Sequence, residues 1–277
     1  STNFRLWNAR RQSAIMAAAR ANHRYSNKAN MNQKPIEDRF YNARNDPSLV
    51  VIEGFHPLKH AIRFGAELVE AVSPDLYELE VLLAEYAPDL GDDIIGQVSA
   101  VDDDVFERLG PVKPPTGVMA IARRPVVDLA GLLDDSAPAP VVLLENPRNL
   151  FNIGAAVRAA AAAGAAGVVN TGNLDPWKPA ALTSGVGLQF ALPVTNSEEL
   201  PLCGRPLVAV DLGGDALPGF HIPDRALLAF GTERQGLSKE LLGVADHRVS
   251  IPMENGVSSL NLATSVAVIL YHWKLRQ

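Results

Sequence analysis

Three stretches in the second half of the chain bring together residue types able to hold a nucleotide-like ligand and act on it. Asn152-Ile153-Gly154, followed by Arg158, sets an amide, a glycine and a guanidinium around the start of an alanine-rich helix. Gly231-Thr232-Glu233-Arg234-Gln235-Gly236-Leu237-Ser238 follows the apolar run Ala226-Leu227-Leu228-Ala229-Phe230. Ile251-Pro252-Met253-Glu254-Asn255-Gly256-Val257-Ser258-Ser259-Leu260-Asn261 leads into a second apolar helix reaching about Trp273. Glycines let main-chain groups come close to a ligand, and the first N–H groups of a helix have no partner within it. A guanidinium can clamp a phosphate or stabilise an oxyanion as it forms. Taken singly the parts are ordinary: Ser258 or Ser259 suits an N-cap, Asn261 a capping or solvated amide, and Arg158 a solvent-facing position.

The elements that must position these residues follow from the apolar pattern. Continuous apolar runs at 141–144, 165–170, 207–211, 226–230 and 247–251, with a helix over 154–163, predict a parallel sheet covered on both faces. No Gly-x-Gly-x-x-Gly or Walker loop follows any of these strands, which excludes an ordinary dinucleotide-binding unit. Upstream, strands over 48–52, 79–83, 98–101 and 117–122 alternate with helices over 57–68 and 103–109, with Asp102 as N-cap of the latter. They describe a smaller α/β unit. The Pro-, Ala- and Asp-rich stretch 125–140 reads as a linker. The expected organisation is a basic extension over 1–44, an α/β unit over 45–124, that linker, and a second α/β domain over 141–277.

Composition sets the class. The 277 residues are 47% hydrophobic and 20% charged, as in a soluble globular protein, and no apolar run approaches the ~20 residues of a membrane span. One cysteine, Cys203, rules out an internal disulfide framework and fits a cytoplasmic location. Residues 1–44 hold nine Lys/Arg against Glu37 and Asp38, a net of +7 within an overall −6, so the remainder carries −13. A basic arm, with a helix over 4–24, on an acidic body is the asymmetry of a phosphate-binding extension. His56 and His60 lie four apart, but no third ligand completes a metal site.

In order, Asn152-x-Gly154-x-x-x-Arg158, Phe230-Gly231-x-Glu233-x-x-Gly236-Leu237-Ser238 and Ile251-Pro252-Met253-x-x-Gly256-x-x-Ser259-Leu260-Asn261 resemble the three motifs of the SpoU/TrmH family of RNA ribose methyltransferases, within the SPOUT superfamily. The resemblance implies a C-terminal α/β domain threaded into a trefoil knot that binds S-adenosylmethionine. Gly231, Ile251 and Leu260 would contact the cofactor through the main chain, with Met253 and Gly256 in the same loop. Arg158 would serve the acceptor hydroxyl, and Asn152, Glu233, Ser259 and Asn261 would hold Arg158, the target nucleotide or the cofactor loop. A homodimer through the C-terminal helix, no metal and no membrane are implied. Residues 48–122, opened by Glu53-Gly54 and closed by Gly117-Val118-Met119-Ala120, resemble the ribosomal-protein-like RNA-recognition unit of many members. The implied reaction is 2′-O-ribose methylation of structured RNA, ribosomal rather than transfer RNA. The alternatives are a transfer-RNA enzyme and an idle RNA-binding protein of the same fold. Two departures stand out: Asn149 competes with Asn152 for the first asparagine position, and Asp175-Pro176-Trp177-Lys178-Pro179 bears on the acceptor pocket.

Overall fold

Four strands early in the chain form the first sheet: β1 (Leu49–Glu53), β2 (Leu68–Ser73), β3 (Ser99–Ala100) and β4 (Met119–Arg123). Their spatial order is β1-β4-β2-β3, antiparallel except for the β2–β3 pair. The computed structural model describes residues 35–199, 204–232 and 235–277, so the helix expected over 4–24, Cys203 and Glu233 lie outside the described residues. Helix α1 (Ile36–Asn45) buries Phe40 and Ala43 on this sheet. Its arginines are committed there. Arg39 forks onto the Glu70 carboxylate at 2.8 and 2.6 Å, and Arg44 reaches Glu53 at 2.6 Å. These two members of the basic arm are thus neutralised by the sheet rather than held out for phosphate.

Helix α2 (Phe55–Arg63) follows β1, ending earlier than the 57–68 expected because Leu68 already begins β2. Residues 79–83, expected as a strand, lie instead in helix α3 (Leu76–Tyr86). Leu76, Leu79 and Leu83 fall at i, i+3 and i+7, which is helical spacing, and Asp75 caps the amides of Tyr77 and Glu78 at 2.9 and 3.0 Å. Helices α4 (Gly91–Ile95) and α5 (Asp103–Arg108) complete the unit, with Asp102 at the N-cap position of α5 but making no side-chain cap bond.

The 125–140 stretch carries helix α6 (Leu129–Asp134), whose Leu132 and Leu133 are buried. Arg205, 3% exposed, donates to the carbonyls of Leu132, Leu133, Asp135 and Ala139 at 2.9–3.1 Å. Those bonds satisfy the last carbonyls of α6 and tie the stretch to the second sheet.

The second sheet contains β5 (Val141–Leu144), β6 (Gly167–Thr171), β7 (Val194–Ser197), β8 (Leu207–Ala216), β9 (Leu227–Phe230) and β10 (His247–Ser250), in the order β10-β8-β9-β5-β6-β7 and all parallel. Strands β5, β6 and β9 are buried throughout, as continuous apolar runs require. Helices α7 (Leu150–Ala163), α8 (Pro179–Ser184), α9 (Lys239–Val244) and α10 (Leu262–Lys274) connect or follow the strands. One apolar cluster runs from Phe55 and Leu58 of the first unit through Leu182 and Ile153 to Val266 and Trp273 of α10. Among the described residues no helix is long and apolar enough to cross a membrane, and no His/Cys/Asp/Glu group could hold a metal.

Candidate functional site

At the carboxyl ends of β8, β9 and β10 the chain encloses a cavity of about 280 Å³. This is where open parallel sheets bind ligands. Strand β8 opens it. Its ladder with β10 passes from Ala209↔Arg248 directly to Asp215↔Val249, so residues 210–214 have no partner on β10, although Val210 still pairs with Phe230 of β9, and Val210, Asp211 and Leu212 line the cavity.

Strand β9 delivers the second wall. Gly231 follows Phe230 and sits against the returning chain: a Cβ there would overlap the Gly236 carbonyl and the Leu237 amide nitrogen. Thr232 and Gly236 exchange main-chain hydrogen bonds at 3.1 and 2.9 Å, which closes the loop into a tight ring. Glu145, just past β5, holds the far side of that ring. Its carboxylate accepts from the Ser238 amide at 2.7 Å and hydroxyl at 2.5 Å, while the same hydroxyl caps α9 at the Leu241 amide.

The third wall is the segment after β10. Ile251, Met253, Ser258, Ser259 and Leu260 line the cavity, and Gly256 sits in the turn between them with φ +89° without reaching it. Ser258 and Ser259 are not caps. Asn261 caps α10, its Oδ1 accepting from Ala263 N at 2.9 Å and Thr264 N at 3.3 Å.

The first motif meets the third at this point. Asn261 Nδ2 donates to Asn152 Oδ1 at 2.9 Å. Asn149 takes the N-cap of α7 and accepts from the amides of Phe151 and Asn152, so one asparagine caps the helix while the other meets Asn261. Helix α7 therefore begins at Leu150 rather than Gly154, and Gly154 lies inside it. There a Cβ would overlap Ser184 and the Ala181 carbonyl, so this glycine lets α7 and α8 cross closely. Arg158 is exposed and makes no hydrogen bond or ion pair among the described residues, and it is not part of the cavity wall. Its charge is felt by His56 on α2, whose pKa burial pushes below the ordinary histidine value with help from Lys59 and Arg158.

Gly231, Ile251, Met253, Leu260 and Ser259 thus gather around one cavity; Asn261 and Asn152 sit beside it, Arg158 stands apart, and Glu233 lies outside the described residues. Sequence reasoning missed Asp211 and Glu145. For the Asp211 carboxyl, burial works upward but the Arg248 ion pair and the Gly213 amide prevail, leaving its pKa below the usual carboxylate value. The signal in each case was an acidic residue directly at the end of an apolar strand run. The 175–179 segment is not at the cavity. It joins the two units: Arg124 pairs with Asp175 at 2.9 Å and lies over the Trp177 ring, and Lys178 donates to the Arg44 carbonyl.

Residues 139–271 match the SpoU rRNA Methylase family. A 23S rRNA (adenosine(1067)-2′-O)-methyltransferase from Streptomyces laurentii is 32% identical over 250 residues, 85% of this chain and 89% of that protein. The chain belongs to the SpoU rRNA methylase family. A second member, a 23S rRNA (uridine(2479)-2′-O)-methyltransferase from Streptomyces viridochromogenes, is 30% identical over 249 residues, covering 83% of this chain and 84% of its own. The fold extends the likeness: the crystal structure of the SpoU methyltransferase AviRb from Streptomyces viridochromogenes, in complex with AdoMet, superposes with a TM-score of 0.72 at 23% identity, over 88% of this chain and 98% of that one.

Proposed function

We propose that the protein methylates a ribose 2′-hydroxyl of ribosomal RNA with S-adenosylmethionine as donor. The observation that carries this reading is the cavity where the second and third motifs converge, hydrogen-bonded through Asn261 and Asn152 to the helix that carries Arg158. Relatives at 30 and 32% identity, matched over most of their length, are 23S rRNA 2′-O-methyltransferases.

The cavity suits the donor. Phe230, Leu260 and Leu262 supply apolar surface for a base, and the loops after β9 and β10 bring main-chain groups to its edge. Asp211 uses Oδ2 for Arg248 and Gly213, and its carboxylate lines the cavity as an acceptor for a hydroxyl or ammonium group. When bound, the donor would supply an electrophilic methyl group on a positively charged sulfur, which would leave as the neutral thioether as the ribose oxygen takes the methyl, with the hydroxyl proton passing to solvent water. Arg158 is no base, since a guanidinium stays protonated in proteins. It instead holds the phosphate next to the target ribose and stabilises the alkoxide as charge develops. Asn152 orients the start of its helix through Asn261; Ser259 and Glu233 hold the nucleotide or the donor loop.

A homodimer completes the acceptor side. Thr264, Val268, Tyr271 and Leu275 form an exposed stripe along α10 at i, i+4, i+7 and i+11, and Arg158 lies off the cavity of its own chain. A partner packed on that stripe brings its own Arg158 toward the cavity. The segment between β10 and α10 is read as the knotted part of the chain, and the first α/β unit as the one that recognises structured RNA. Calorimetry with S-adenosylmethionine, then incubation of the protein with the tritiated donor and total RNA, tests the proposal: binding and label at one ribosomal 2′-oxygen are expected. Absence of donor binding would overturn it.

A further inference from the structure

We infer that His56, Lys59 and Tyr86 form a ledge on the first α/β unit on which an unpaired base of the RNA stacks, close to Arg158. This rests on the RNA-methylation reading and adds to it the part of the substrate that this surface takes.

The ledge is a rigid ring cluster on a buried foundation. Phe55, fully buried, meets His56 edge-on at 5.4 Å, and His56 meets Tyr86 edge-on at 5.7 Å. Phe55 and Tyr86 lie 6.4 Å apart, and Lys59 Nζ stands 5.8 and 6.0 Å from their two rings. His56 is exposed, and Tyr86 is 47% exposed. Two exposed aromatic faces already held in place lose little freedom when a base is added, and any base has a π face to offer.

The charges around the ledge select the occupant. Lys59 makes no ion pair among the described residues, whereas its neighbour Arg63 is taken by Asp89 at 2.8 and 2.7 Å. Glu85 engages the Tyr86 hydroxyl. A lysine held over ring faces, with the nearby acids occupied by other groups, leaves its charge for phosphate.

The ledge is also anchored to the catalytic half. His60 Nδ1 lies 2.7 Å from the Val186 carbonyl, in a turn where Val186 has φ +48°, and the main chain of Pro57 abuts Gly187 of the same turn. That turn follows α8, which crosses α7 at Gly154, one turn of helix before Arg158. The Arg158 charge adds to the lowering of the His56 pKa, after burial and Lys59.

The test uses the full chain and two fluorescein-labelled RNAs with the same stem, one closed by an unpaired seven-nucleotide loop and one a blunt duplex. Wild type should prefer the hairpin. His56→Ala and Tyr86→Ala should each weaken hairpin binding about tenfold and leave duplex binding unchanged, and Tyr86→Phe should restore it. Lys59→Gln should weaken both and lower the salt slope by about one. Calorimetry with S-adenosylmethionine accompanies every variant. Wild type without donor affinity would sink the methylation reading. Normal donor affinity with unchanged hairpin binding in His56→Ala and Tyr86→Ala would overturn the ledge alone. So would equal losses on hairpin and duplex, or no wild-type preference for the hairpin, as for a surface that docks protein.

Discussion

The Asn261 side chain serves two helix starts at once: Oδ1 caps α10, and Nδ2 donates to Asn152 Oδ1 in the first turn of α7 at 2.9 Å. The residues lie 109 positions apart in the chain, and their contact registers the helix bearing Arg158 against the loop that walls the cavity. A serine would cap as well as asparagine does; it lacks the second donor needed to reach Asn152.

That division of labour predicts a graded series. Asn261→Ser should cost about 0.5–1 kcal/mol in urea melts, the worth of one partly solvated hydrogen bond. Asn261→Ala should cost about 1 kcal/mol more through loss of the cap. In an Asn152→Ala background Asn261→Ser should be close to neutral, because the bond it removes is already gone.

Gly231→Ala probes the second wall. The added methyl has nowhere to go but into the Gly236 carbonyl and Leu237 amide, so the ring closed by Thr232 and Gly236 must open. Overpacking of this kind costs about 1–3 kcal/mol. Affinity for S-adenosylmethionine should fall at least tenfold by calorimetry. Unchanged affinity would remove this loop from the donor site.

Much of the arrangement could be read in the residues, and what could not has identifiable physical reasons. Strands β5 and β9 follow from unbroken apolar runs, because a strand covered on both faces admits little else. Leu79 to Leu83 misled because a short apolar run fits strand and helix alike, and Asp75, the capping residue that decides it, lies upstream. The 125–140 stretch has the composition of a linker, but the Arg205 side chain that pins its carbonyls comes from some seventy residues downstream. Glu145 and Asp211 escaped notice for the same reason: each acts through a partner distant in the chain or through a break in the ladder, and periodicity records neither.

Glu145→Gln is accordingly a sharp probe. The isosteric amide keeps one acceptor for the Ser238 amide but weakens a charge-assisted pair of bonds at 2.7 and 2.5 Å. Donor affinity should drop severalfold while Asn261 and α10 keep their stability. Equal loss of global stability would make Glu145 a purely structural residue.

Arg158→Ala should lower kcat by two to three orders of magnitude, the size expected for one removed oxyanion donor, with donor affinity near wild type since the residue is not in the cavity wall. Arg158→Lys should recover only part of the loss, because an ammonium cannot fork onto a phosphate. Loss of donor binding in either variant would place Arg158 elsewhere.

The histidines of α2 report on the same geometry through pH. Burial holds the pKa of His60 below 6.5 despite its bond to the Val186 carbonyl, and burial, then Lys59 and Arg158, hold His56 below it too. Below pH 6.5 the unfolded chain therefore binds protons that the folded chain resists. The stability held above that pH should decline as the pH falls toward the folded values. His60→Asn should flatten the decline between pH 7.5 and 5.5. Arg158→Ala should raise the His56 pKa, followed by NMR titration of its ring protons, since a like charge has been lifted from that imidazole. A His56 titration indifferent to Arg158→Ala would mean that the guanidinium points away from α2 in solution, and the path from Arg158 to the first unit would fail with it.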